Sequence, residues 1–545
     1  MSTSTDLFEI RFRKGLPEQL REMQAQVEQV ARDAGLDFYK TVFEMVSPKE
    51  MSMLAAYGGF PTRYPHWRFG MEFEQLHKSY SYGLSKIYEM VINTDPCYAY
   101  LMDANALMDQ KLVMAHVYGH CDFFKNNMWF QHTNRRMIDA MANHATRVRR
   151  LIDRLGAERV EEFIDCCLSV ENLIDIHAAA IRRQPRSDDA MLESLREAAR
   201  DGEEPGLPAA EHFKVDVDHS YMDGYINPPE EVLAMREEAL QRSMEPRPIP
   251  ERPERDVLGF ILAHAPLHDW EAEVLAIIRE EAMYFAPQGQ TKIMNEGWAT
   301  FWHTRLMTEE LATAAEIVDY ADHHSGTVAM TPYRLNPYKL GLELFRDIEH
   351  RWDTGRHGPD YENCDDLEKR KNWFVDEQGG IEKIFGVRRI YNDLQFVDAF
   401  LTEEFCREHG FFTYGKDKTS GEFVVESREF SEVKERLLGQ LTNFGQPIVD
   451  VVDGNFENRG ELLLAHTHTG ADLQMDWAET TLANLVRLWK RPVCIQTQLG
   501  GRPILIRHDG TEPSRVFLDR SEERPAPDAA KEEGAADDGG ETSRP

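Results

Sequence analysis

Positive charge is scarce in this chain. Lysine and arginine number 62 against 95 aspartates and glutamates over 545 residues, a formal net charge of −33. A field of that sign repels phosphate backbones and anionic lipid alike, so neither nucleic acid nor membrane insertion is expected. Cysteine is sparse too. The seven residues are scattered except for Cys166 and Cys167, with no CxxC spacing and no dense even-numbered framework. Such usage fits thiols in a reducing compartment. No stretch reaches the ~18 apolar residues that a bilayer span requires. The opening MSTSTDLFEIRFRKG carries Asp6 and Glu9 and lacks a long apolar run before a small-residue cleavage site. A cytoplasmic protein is expected. Nucleotide chemistry has no footing, because no GxGxxG opens a helix after a strand and neither a GxxxxGKS/GxxxxGKT loop nor a GxSxG elbow occurs.

What is present is enough to build a large core: 42% of residues are hydrophobic and 10% aromatic. Length alone suggests three or four domains at about 150 residues each, a prior that one large helical domain defeats, and two or three are expected. From Pro17 to Leu36 the residues Leu20, Met23, Val27, Val30 and Ala34 recur at three and four, an amphipathic helix stopped by Gly35. YGGFPTRYPHWRFG (57–70) crowds glycine and proline among aromatics, which predicts a packed loop. A second helix is expected to open at Pro96 and run through ANALMDQKLVMAHVYGH. Further helical patterns cover 134–155, 158–182, 230–243, 256–285, 295–313 and 392–409. Residues 183–211 read as a polar surface excursion and 245–255, EPRPIPERPER, as an extended internal connection.

Near residue 415 the character changes. EFVVES, PIVDVVD, ELLLAHT, PVCIQTQ and PILIRH are β-rich runs bounded by glycine or proline, separated by helical patterns at 431–443 and 476–490. The expected architecture is mainly α: a large helical domain over 1–414, a small α+β domain over 415–515, and a disordered acidic tail over 516–545.

Chemistry concentrates on histidine. With 20 histidines a lone HxxxH carries little information, and two occur, His116/His120 and His264/His268. The second encloses Pro266, which disturbs a regular helix. In MAHVYGHCDFF a helical register puts His116 and His120 on one face, one turn apart, as metal binding by two imidazoles needs. A third ligand must come from elsewhere, and Glu296 in KIMNEGWATFWH is the best candidate. Glu296, Thr300 and His303 fall at i, i+4 and i+7, so His303 is expected as a further ligand or as an acid behind the ligands. This pairing resembles the zinc peptidases that bind metal through HExxH and a glutamate on a later helix, often within Asn-Glu-x-x-Ala. NEGWA matches the later motif. HVYGH matches the first in its histidines only, with Val117 where the peptidase keeps its general-base glutamate. A valine accepts no proton, so another carboxylate must stand in, with Glu271 and Glu280 as candidates.

The alternative stays open that these side chains form a hydrogen-bonded polar network in the core without metal. For His66 the neighbours Tyr64, Trp67 and Phe69 favour aromatic packing. Of His323 and His324 at most one can face the site, and His324 is preferred. His466 and His468 alternate along a strand, share a face and read as an exposed polar strand edge.

YPHWRFG, NTDPCYAYLMDAN, MAHVYGHCDFFKNN, the run from AHAPLHDWE to NEGWATFWH, RLNPYKLG and GGIEKIFGVRRIYNDLQFVDAFLTEEF together resemble the stage V sporulation protein R (SpoVR) family, over residues 6–515. The resemblance implies a role in spore formation tied to the peptidoglycan cortex. In bacteria without endospores it implies a link to stress or stationary phase, in company with a serine protein kinase and a protein with a von Willebrand factor A-like domain. It supplies no reaction. Two function classes follow: a zinc-dependent hydrolase of amidase or peptidase type acting on peptide-like material, or a regulatory scaffold that binds such partners.

Overall fold

The computed structural model describes residues 15–81, 89–178, 180–181, 213–214, 222–244, 248–329, 335–416 and 423–518. Nearly all of the polar excursion at 183–211 and of the acidic tail at 516–545 lies outside these residues. The chain is mainly helical, with a small sheet-bearing unit toward the C-terminus. One compact unit comprises Met1–Arg247 and Arg255–Pro447, and the other Pro248–Glu254 and Ile448–Pro545.

In the first unit a three-stranded sheet runs in the order β1 (Thr41–Val46), β3 (Cys97–Met102), β2 (Glu89–Ile92). β1 and β3 are parallel, and β2 and β3 antiparallel. The helix expected from Pro96 therefore begins later, at Leu107, and CYAYLM is the central strand. A short unbroken apolar run suits a buried strand as well as a helix, and pairing on both edges decides it. Other expected helices are divided at identifiable breaks. The 256–285 pattern is two helices, Val257–His264 and Asp269–Gln290, separated by the bend at Pro266. The 392–409 pattern breaks before Thr402, whose side chain accepts from the Phe405 amide and starts a new helix. The 158–182 pattern stops as a helix at Leu168.

Three helices form the centre. The histidine helix, Leu107–Asn126, is buried continuously from Gln110 to Phe124, on every face. The glutamate helix, Lys292–Leu306, is buried from Ile293 through His303. The tyrosine helix, Pro337–Asp353, starts with Pro337 behind Asn336, whose side chain accepts from the amides of Tyr338 and Lys339 at 2.9 and 3.3 Å. Helices so enclosed approach closely only where side chains are small. A Cβ on Gly119 would lie 2.7 Å from Ala299 Cα, and one on Gly297 would collide with the backbone of Gly341. These contacts stack the three helices backbone on backbone.

Buried carboxylates fix their register. Asp122 accepts from Trp298 Nε1 at 2.8 Å and from the Asp37 amide at 2.8 Å, and it pairs with Arg388 at 3.3 Å. Burial pushes its carboxyl up to about 6, against the charge of Arg388. Asp393 comes from another helix and accepts from the amides of Ile293 and Met294, the otherwise unpaired N-terminus of the glutamate helix, at 2.7 and 2.8 Å. Burial raises the Asp393 carboxyl to about 7, although both amides favour the charged form.

The second unit is a five-stranded sheet in the order Pro513–Phe517, Arg502–His508, Val493–Leu499, Glu461–Thr467, Ile448–Phe456. The parallel pair, Glu461–Thr467 and Val493–Leu499, is joined through the helix Met475–Trp489. Glu254 of the proline-dense stretch pairs with Val451, extending this edge.

Two outcomes follow. Gly119→Ala and Gly297→Ala are each expected to lower the melting temperature by a few degrees, because overpacking costs about 1–3 kcal/mol and alanine returns only ~1 kcal/mol of helix propensity. Asp393 is held more protonated in the fold than its ordinary 3.8, so its contribution is full at low pH and is lost as pH rises toward about 7. The stability advantage of the wild type over Asp393→Asn is therefore expected to shrink between about pH 4 and about pH 7 in thermal melts.

Candidate metal centre

The crossing of the histidine and glutamate helices brings three side chains to one point. His116 and His120 present perpendicular rings with centroids 4.5 Å apart. Glu296 Oε2 lies 3.6 Å from His116 Nε2 and 3.5 Å from His120 Nε2. All three are buried, and their ligand atoms lie within 4.8 Å of one another.

The proton inventory shows what this cluster lacks. His120 Nδ1 is 2.9 Å from Asn295 Oδ1, an acceptor, so Nδ1 carries the proton and Nε2 turns a lone pair inward. His116 Nδ1 meets His303 Nδ1 at 2.8 Å. When His116 donates in this contact, its Nε2 also offers a lone pair. Burial and then the charge of His116 hold His120 down at about 4, so the ring is neutral near neutral pH. Burial pushes Glu296 up, but His116, His120 and Lys292 together outweigh it and hold the carboxyl well below the usual range. Its Oε1 pairs with Lys292, while Oε2 is buried with no hydrogen-bond partner at ordinary distance.

When His116 donates to His303, the two Nε2 lone pairs and Glu296 Oε2 converge as three acceptors; when His116 is charged, it donates to Glu296 instead. In the first of these states a cation among the three would offset their repulsion in a buried space. Ligand atoms about 2.0–2.1 Å from a tetrahedral metal lie roughly 3.4 Å from one another, close to the separations above. Two neutral imidazoles and a carboxylate are also a donor set that suits zinc and leaves a coordination position open. The residues fit a metal.

Behind the ligands, Asn295 and His303 orient the two rings, as outer partners of metal-binding histidines do. His303 is buried, and its pKa is driven well down by burial first and then by the charge of His116. Its Nε2 faces His324 Nδ1 at 3.4 Å. His303 therefore stands behind His116 and is not a member of the converging group, and of the adjacent pair it is His324 that continues the line.

The remaining sequence candidates stand elsewhere. Glu271 accepts from the His268 amide at 3.0 Å and caps its own helix, and Glu280 pairs with His144 at 3.3 Å. Neither belongs to the cluster. His264 and His268 are exposed, on either side of the Pro266 bend. His66 packs against Trp67 and Phe69 and meets Asp165 at 3.2 Å. In the second unit His466 bonds Thr497 and His468 bonds Asp472, at 2.8 and 3.0 Å. Val117 is fully buried in the apolar core, so the position that holds a base in the peptidase motif serves packing here.

Two residues escaped sequence reasoning. Tyr338 stacks near His116, with ring centroids 6.2 Å apart and planes 23° apart. Burial, then the charges of Glu296 and Glu89, push its phenol far up, so it stays protonated. Glu89 opens β2 and lies in the field of His116, Glu296 and Lys292, and burial raises its carboxyl. Tyr338 sits inside the recognisable RLNPYKLG. Glu89 carries no local signal, because a lone acid at a strand end becomes informative only when the strand is placed.

Residues 15–446 match the family described as SpoVR like protein, and residues 447–500 match the SpoVR-like C-terminal domain. The chain is 29% identical over 498 residues to the protein named "Uncharacterized protein YcgB" of Escherichia coli (strain K12), covering 87% of this chain and 91% of that one. No solved structure matches. Among the described residues, no helix is long and apolar enough to cross a membrane. With both family regions aligned in order along the sequence, the chain belongs to the SpoVR family.

Proposed function

We propose that this SpoVR-family protein is a zinc-dependent hydrolase acting on an amide bond in peptide-like material, in the service of spore formation or of stress and stationary-phase physiology. The observation that carries the reading is the buried meeting of His116 Nε2, His120 Nε2 and Glu296 Oε2 at the spacing of metal ligands. A divalent cation held by these three residues would supply Lewis acidity, polarising a carbonyl and making water a competent nucleophile at neutral pH.

The chain's own groups divide the remaining work. Glu89 is the carboxylate near the ligands that does not belong to them, and its raised pKa suits the acceptance of a proton from water. The protonated phenol of Tyr338 donates a hydrogen bond to the charge that develops on the substrate carbonyl oxygen. Asn295 and His303 keep the two imidazoles turned toward the site. The seven cysteines are all free, in keeping with action in the cytoplasm on precursors or regulatory peptides. A serine protein kinase and a von Willebrand factor A-like partner then regulate or recruit the enzyme and supply none of its chemistry.

Protein purified without chelator or nickel is expected to contain about one zinc per chain by elemental analysis, and to melt at a lower temperature once a chelator removes it. His120→Ala is expected to lose the metal. A metal-free wild type with an unchanged melting profile would overturn the reading. Glu89→Gln is expected to keep zinc and fold while cleavage of a peptide library falls by about 10²–10⁴-fold.

A further inference from the structure

Lys292 is a cation where helix energetics disfavour one. It is the first residue of the glutamate helix, directly behind Thr291. Unpaired amides and the positive end of the helix dipole lie at that terminus, so a positive side chain in the first turn is repelled there. The order along the chain is unfavourable as well. Glutamate four residues before lysine stabilises a helix more than lysine four residues before glutamate, and here the lysine leads. Helix stability therefore does not account for Lys292.

Its contact does. Lys292 Nζ pairs with Glu296 Oε1 across a boundary of exposure, the lysine side chain being 58% exposed and that of Glu296 6%. A long side chain based in solvent thus reaches inward to a buried carboxylate. Ion pairs with so exposed a partner add little to stability, because water screens them and the long side chain must be held still. Glu89 and Asp393 also lie in the field of Lys292, yet among the described residues its ion pair is with Glu296.

The carboxylate is divided as a result. Oε1 faces the ammonium, while Oε2 lies 3.5 Å from His120 Nε2 and 3.6 Å from His116 Nε2. A carboxylate ligates through one oxygen or through both. The second mode would need Oε1 to leave the ammonium and turn toward the imidazoles. Held as it is, Glu296 offers the site one donor atom. Catalytic zinc with three protein donors keeps its fourth position for water or substrate, and a second oxygen from Glu296 would take that position.

We infer that Lys292 is a positioning residue that keeps Glu296 a one-oxygen ligand, so that an ion held by His116, His120 and Glu296 retains an open coordination position. This rests on the metal reading above. Groups that bond a ligating carboxylate from behind fix how it meets the ion. The exposed stem of Lys292 places that control at the solvent side of the site, where neither imidazole reaches.

The test uses the full-length chain, stripped of metal by a chelator and loaded with cobalt(II), whose visible absorption is strong in four-coordinate sites and weak at higher coordination number. The wild type is expected to take up about one cobalt per chain and to absorb strongly, and azide, which adds at an open position, is expected to shift the band. Lys292→Met keeps the apolar stem and removes the ammonium. With cobalt still bound, its band is expected to lose intensity and to stay unmoved by azide. Lys292→Arg returns the charge and is expected to return both responses. If the methionine variant fails to fold, Lys292→Gln takes its place. A wild type that takes up no cobalt overturns the metal reading and this inference with it. A folded, cobalt-loaded Lys292→Met with the wild-type band and azide shift overturns the role of Lys292 alone.

Discussion

Three helices touching through their backbones are the constraint on which this protein depends. Gly119 against Ala299, and Gly297 against Gly341, allow approaches that any larger side chain would forbid. The same residues sit between the functional ones: Gly119 precedes His120, Gly297 follows Glu296, and Gly341 lies three positions after Tyr338. Interaxial distance therefore sets the separation of imidazole and carboxylate. Imidazole nitrogens 3.5–3.6 Å from the carboxylate oxygen are a direct consequence of helices that meet without side chains between them.

Holding that crossing requires polar groups in places where water is absent. Asp122 ties the histidine helix to Trp298 of the glutamate helix, and Asp393 closes that helix's open amides from a distant segment. Both carboxyls are raised by burial, so the fold spends part of its stability on keeping them where they are. Glu296 behaves in the opposite sense and remains charged, because two imidazoles and Lys292 surround it. Two acids are thus tuned toward neutrality and one toward charge, all on or against the same helix.

The legibility of these features follows their range along the chain. Helical periodicity identified the histidine and glutamate helices, and HxxxH spacing was sufficient to face His116 and His120 together, because one turn of helix is local geometry. CYAYLM was read as helix because a six-residue apolar run has no period to distinguish it, and only pairing with β1 and β2 makes it a strand. Glu271 and Glu280 were reasonable stand-ins for the missing base, since each lies on a long helix near the motif. One caps that helix and the other meets His144. Arg63 and Glu281 gave no sequence hint of their pairing across 218 positions.

The sequence by itself determined the helical class, the acidic character, the spacing of the two imidazoles and membership in the SpoVR family, because each is a property of composition or of neighbours within a few turns. The tertiary structure alone decided that Glu296 closes on those imidazoles, that His303 stands behind His116, that Tyr338 stacks near His116, and that Glu89 lies in the field of His116 and Glu296. Convergence of residues far apart in the chain depends on how helices pack. Packing is set by the shapes of many side chains at once, and by small residues whose significance appears only where two backbones meet.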